Sequence, residues 1–187
     1  MTMKLPMLLA ASALLAVPMA AQALTYSFNA SLKGANEVPP NASTGTGLAS
    51  LSYDDMGTVG MGDDVFSFTL SASGMTGPAP AGHIHLGAAG VIGPPIVSLS
   101  GSPLSFVYLT AAAYTLVGSL GPVPAPAGFL AALMASGTYV NLHTGAFGGG
   151  EIRGQLVPVG VVPEPSTYAL MLAGIGMMGM LARRRRG

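Results

Sequence analysis

The 187-residue chain has no cysteine and no tryptophan, and only 7% of its residues are charged. Without cysteine there can be neither a disulfide framework nor a thiolate metal site. Seven basic residues against seven acidic ones provide no basic face to neutralise phosphates, so nucleic acid is excluded as a partner. Half of the residues are hydrophobic and the mean hydropathy is +0.59, the reverse of the weakly hydrophobic, highly charged composition that keeps a chain disordered. No arrangement of nucleophile, base and oxyanion donors stands out, so the sequence names no reaction and the chain reads as non-enzymatic. The length suits one domain with a core of its own.

The two ends differ from the middle. Residues 1–23 carry Lys4, an apolar run from Leu5 to Val17 and then Ala21-Gln22-Ala23, the pattern of a secretory signal peptide cut after Ala23. Export to the periplasm or beyond is expected. Residues 166–187 are expected to form a transmembrane helix with an Arg-rich cytoplasmic tail. The 15 uncharged residues from Tyr168 to Ala182 would make a helix of roughly 22 Å. That is short for a hydrocarbon core of about 30 Å, a mismatch that snorkelling by Arg183, Arg184, Arg185 and Arg186 can absorb. Basic flanks stay in the cytoplasm, which leaves the body outside the inner membrane. Residues 158–165 read as a linker, in which Pro163 and Pro165 disfavour helix and leave an extended, accessible strip around Glu164.

This tail resembles the PEP-CTERM sorting signal of Gram-negative bacteria that make extracellular polysaccharide: Pro163-Glu164-Pro165, an apolar helix, then the arginines. The resemblance implies an exosortase as partner, a membrane enzyme that would remove the helix and release or transfer the domain. A permanent anchor is the alternative.

From residue 24 to about 162 there are six acidic residues against two basic ones, a net charge of −4. Leu24 to Lys33 alternates apolar and polar residues with period two, the signature of a half-buried strand. Gly47–Tyr53 and Val65–Ala72 repeat it around the hairpin loop DDMGTVGMGDD. Shorter strands are expected at 82–86, 95–99, 104–108, 114–118, 138–144 and 151–157. Pro126 to Ser136 is expected to be a short helix capping the body. The fold class is therefore all-β, an antiparallel Greek-key or immunoglobulin-like sandwich with one short helix.

The polar chemistry concentrates in two motifs and a loop. His83 and His85 share a face of one strand, Asn141 and His143 share a face of another, and Glu151 and Arg153 are expected to point to one side together. Three readings follow. The favoured one is a structural polar network of His83, His85, Asn141, His143, Glu151 and Arg153 that fixes strand pairing, with no cofactor. The second is a metal site of His83, His85 and His143 for zinc or copper, with Glu151 as a fourth or neighbouring group. The third is a groove for polysaccharide or envelope proteins, disfavoured because tryptophan is missing and Tyr and Phe fall at core parity. Asp54, Asp55, Asp63 and Asp64 lack calcium-loop spacing and read as turn carboxylates. The glycines from 87 to 93 lack the lysine of a phosphate loop. Asn41-Ala42-Ser43 matches a glycosylation acceptor by chance.

Residues 24–157 resemble a CHRD domain. The resemblance rests on Gly34-Ala35-Asn36-Glu37-Val38-Pro39-Pro40, Ala81-Gly82-His83-Ile84-His85, Gly137 to Thr144, and Gly150-Glu151-Ile152-Arg153-Gly154-Gln155-Leu156. Ala146-Phe147 departs from the family's Asn-Pro, and Ser100 to Ala127 follows no recognised pattern. The resemblance implies an all-β extracellular module without an established catalytic activity, hence a structural or adhesive role in the cell envelope or polysaccharide matrix. Copper-zinc superoxide dismutase also carries His-x-His on an exported β-strand, but it needs more histidines than the three present, so the analogy does not extend to its activity.

Overall fold

The computed structural model describes residues 23–58, 62–99, 105–110, 114–163 and 165–185. Apart from Ala23, the expected signal peptide lies outside the described residues, as do Glu164 and Arg186. The strands are β1 (Leu24–Lys33), β2 (Thr46–Asp54), β3 (Val65–Met75), β4 (Ala81–Leu86), β5 (Pro95–Ser98), β6 (Ser105–Thr110), β7 (Tyr114–Pro124), β8 (Thr138–His143), β9 (Ile152–Gln155) and β10 (Val157–Pro163). The α-helices are α1 (Phe129–Met134) and α2 (Pro165–Arg184).

Period-two alternation explains the long strands. Phe28, Ala30 and Leu32 of β1 are buried while Asn29, Ser31 and Lys33 are exposed. Phe28 pairs with Leu51 of β2, which pairs with Phe68 of β3, so large apolar side chains lie side by side across three strands. A slip of one residue would turn all of them to solvent. Each fully buried Phe or Leu contributes about 1.5–3 kcal/mol, which makes the register well determined.

All described strand pairs are antiparallel, as expected, but the two-sheet sandwich is corrected to one ten-stranded sheet in the order β5-β4-β8-β9-β1-β2-β3-β7-β6, with β10 also paired to β1. The reason lies in β1. Its length lets it hold β2 along one edge and both β10 and β9 along the other, which leaves no gap at which a second sheet could separate. The sheet curls instead. Ile96 and Val97 of β5, at one end of the order, line a cleft with Phe66 of β3 and Val123 of β7 near the other end. Helix α1 caps this core as expected, with the Phe129 ring 5.2 Å from Phe66 and 6.2 Å from Tyr53.

The tail differs from expectation in two ways. The first part of the expected linker is strand: β10 pairs with β1 from Asn29↔Val157 to Leu24↔Pro163, across a register shift at Ser27/Phe28. Proline is tolerated where a ladder needs no N–H, and the irregularity marks such a place. Pro165 opens α2 rather than barring it, because the first helical position requires no N–H either. The second correction concerns spanning: among the described residues no helix is long and apolar enough to cross a membrane. Helix α2 has 20 residues, but Pro165, Ser166 and Thr167 begin it, Arg183 and Arg184 end it, and three glycines dilute the apolar stretch.

Candidate functional site

Strands β4, β8 and β9 carry the polar motifs. Their even-numbered positions Ile84, Val140, Leu142 and Ile152 enter the core with zero exposure. Odd-numbered positions form the opposite face, with His83 paired to Asn141, His85 to Tyr139, Ala81 to His143 and Asn141 to Arg153. Residues 87–93 fold back across this face and bury much of it. Gly93 permits that return, since a Cβ there would lie 1.5 Å from the Leu86 carbonyl oxygen.

The three histidines converge. His83 Nδ1 lies 3.3 Å from His143 Nε2. His85 Nδ1 lies 2.9 Å from the Gly93 carbonyl oxygen and His143 Nδ1 lies 3.0 Å from that of Gly148. A carbonyl only accepts, so both Nδ1 atoms carry hydrogen and both Nε2 atoms are bare in the neutral rings. His85 Nε2 is buried without a hydrogen-bond partner. Burial lowers the pKa of His83, aided by His143 and His85. Burial also lowers that of His85; the Gly93 carbonyl opposes this, while His143 and Arg153 reinforce it. Neutral rings are favoured at His83 and His85.

Arg153 does not join the histidines or Glu151. Its guanidinium carbon lies 3.3 Å from the Tyr139 ring centroid, and its Nη2 donates to the carbonyls of Ala88 and Val91. His85 stacks on the same tyrosine at 4.8 Å between centroids. Gln155 adds donors to the carbonyls of Gly87, Ser136 and Thr138. These four side chains fasten the returning loop.

Glu151 corrects the parity expectation. Strand β9 begins only at Ile152, after Gly150 at φ 136°, so alternation does not carry back to position 151. Its fully buried carboxylate faces the other way. It accepts from the hydroxyls of Ser43, Thr76 and Thr144 and from the Thr76 N–H. Burial opposes its ionisation, but these hydrogen bonds outweigh that and hold the carboxyl below its usual range. Asn41 donates to the carbonyls of Gly150 and Glu151, which gives the apparent glycosylation acceptor an inward structural task.

The acid that faces Arg153 is Glu37, in the segment from Gly34 to Pro40. Glu37 is buried, its Oε1 has no hydrogen-bond partner, and it lines a cavity of about 500 Å³ together with Arg153 and Ala89. Burial pushes its carboxyl up to about 7 against the opposing pull of Arg153. Asn141 Oδ1 is likewise buried and unpartnered. Both oxygens crowd Gly150, where a Cβ would lie 2.5 Å from Asn141 Oδ1 and 2.7 Å from Glu37 Oε1. The signal that could have marked Glu37 is a lone carboxylate in an otherwise uncharged stretch.

Of the expected network, the histidines and Arg153 are linked through Tyr139, Glu151 lies apart in its cradle of hydroxyls, and Asn141 keeps an unpartnered Oδ1 beside Gly150. Among the described residues, His83, His85 and His143 form the one group of three or more His, Cys, Asp or Glu side chains able to hold a metal ion. The acidic hairpin shoulders serve the turn instead: Asp54 accepts from Met56 N, Asp55 from Gly57 N, and Asp63 from the Thr58 hydroxyl.

Compared with known families, residues 28–156 match the CHRD domain and residues 161–186 match the PEP-CTERM protein-sorting motif. No curated protein and no solved structure matches the chain.

Proposed function

The chain belongs to the CHRD domain family and carries a PEP-CTERM protein-sorting motif; from that premise we propose that it is an exported, non-enzymatic protein, sorted by an exosortase, with a structural or adhesive role in the cell envelope or extracellular polysaccharide matrix. The signal peptide at 1–23 would start export. Helix α2 would then engage the inner membrane during transit, as a sorting signal of this kind requires.

The observation that carries this reading is the surface of α2. Met171, Leu172, Ile175, Met177, Met178, Met180 and Leu181 are all more than half exposed, and Arg183 to Arg185 follow them. A helix apolar on every described side has no covering partner among the described residues, and lipid is a solvent that removes its cost. Pairing of Leu24 with Pro163 brings the chain's entry into the domain and its exit toward α2 to one end of the sheet. Both processing points would then face the bilayer together.

The body suits release. Its net charge of −4 gives no attraction to anionic lipid. Glu151 and Arg153 are committed to internal bonds, which supports a scaffolding use of these groups. The test replaces Pro163-Glu164-Pro165 by three alanines in a host with an active sorting enzyme. Wild type should leave the membrane fraction while the variant accumulates there at full length; equal release of both would refute the sorting reading.

A further inference from the structure

We propose that His83, His85 and His143 bind one transition-metal ion, zinc(II) or copper(II), through one ring nitrogen each, with a water molecule completing the coordination.

Convergence is the first argument. One nitrogen from each ring lies within 4.8 Å of the other two. Two nitrogens bound to a tetrahedral ion at about 2.0–2.1 Å stand roughly 3.3 Å apart. The observed separation of His83 Nδ1 and His143 Nε2 is 3.3 Å. That edge of the coordination sphere already has the right length; His83 must move its hydrogen from Nδ1 to Nε2 to free the lone pair, and His85 has a short approach to make.

The second argument is the support behind the rings. A metal-bound histidine usually donates its other N–H to a carbonyl or carboxylate, which fixes the tautomer and ring orientation. His85 and His143 do this to Gly93 and Gly148. His85 is further held by its stack on Tyr139, and Arg153 also lies on that ring. Orientation is thus set before any ion arrives.

The third argument is the unpartnered atom. His85 is nine-tenths buried, yet its Nε2 has no partner. A bare buried acceptor has lost its hydrogen bond to water and gained none in return. A purely structural network would spare the fold that cost, whereas a metal-binding site keeps the lone pair available. The donor set decides the class of ion. Three neutral imidazoles with no carboxylate suit zinc or copper and disfavour calcium or magnesium, which take oxygen ligands. Glu151 supplies nothing here because its carboxylate is held by Ser43, Thr76 and Thr144.

The test uses the full chain, purified in mild detergent without a histidine tag, and offered zinc chloride or copper(II) sulfate. After desalting, elemental analysis should find one ion per chain, and direct competition between the two salts identifies the preferred one. The copper(II) form should show electron paramagnetic resonance coupling to three nitrogens. His83→Gln and His143→Gln should each weaken binding by about 100-fold or more, with an unchanged circular dichroism spectrum. Should either variant fail to fold, the resonance spectrum of the wild-type protein decides alone. Ion lost on desalting, absent nitrogen coupling, or equal occupancy in the variant with all three histidines replaced by Gln would overturn the proposal.

Discussion

The backbone nitrogen of Leu24 donates to Oδ1 of Asp55 at 2.8 Å, and Asp55 returns its own N–H to the Leu24 carbonyl at 3.2 Å. Asp55 is only 1% exposed. Signal removal after Ala23 would convert that nitrogen from a neutral amide to an α-ammonium facing a buried carboxylate. The amide–carboxylate bond is already charge-assisted, and the new terminus adds an ion pair to it, worth up to about 1 kcal/mol at a partly exposed site. A domain beginning at Leu24 should therefore melt roughly 3 °C above one retaining Gln22-Ala23, and Asp55→Asn should abolish the difference. Equal melting of the two wild-type forms would show that the new terminus adds nothing.

Glu151→Gln should be among the most destabilising conservative changes in the domain. The amide can replace only some of the acceptor positions used by Ser43, Thr76 and Thr144, and it places an NH₂ against hydroxyl and N–H donors. A loss of about 3 kcal/mol in urea unfolding is expected, against about 1 kcal/mol for Ser43→Ala. Comparable small losses for both would mean that the cradle of hydroxyls does not depend on the charge.

Glu37 makes an opposite statement about pH. Its folded pKa is raised from 4.5 to about 7, so between those values the folded chain binds more protons than the unfolded one. Its contribution is therefore fully present below pH 4.5 and is lost as pH rises through 7. Glu37→Gln should leave stability near pH 4.5 almost unchanged and raise it at pH 8 relative to wild type. The comparison needs the variant because His83 and His85, whose pKa values are lowered, act in the other direction: their contribution is lost as pH falls below about 6.5. A constant difference between the two proteins from pH 4.5 to 8 would refute the assignment to Glu37.

How far the sequence could be read depended on whether alternation ran unbroken. In β1 it ran the whole length, and Leu24 to Lys33 was legible to the residue. His83 and His85 were likewise legible as sharing a face. That His143 joins them was expected in both the network and the metal readings, and the β4–β8 register that sets His143 opposite Ala81 supplies the reason. Glu151 misled because the backbone turns at Gly150, so position 151 does not share the parity of Arg153. Strand β10 was hidden by Pro158 and Pro163, which read as linker until β1 is known to tolerate them. Helix α2 was legible as an apolar run, whereas its capacity to span was judged too generously over a stretch with three glycines.

Intact mass of the exported protein, recovered from outside cells that possess an exosortase, tests the sorting reading most directly. The account predicts a chain that begins at Leu24 and ends no later than Pro165. A recovered mass that still includes residues 166–187 would contradict it.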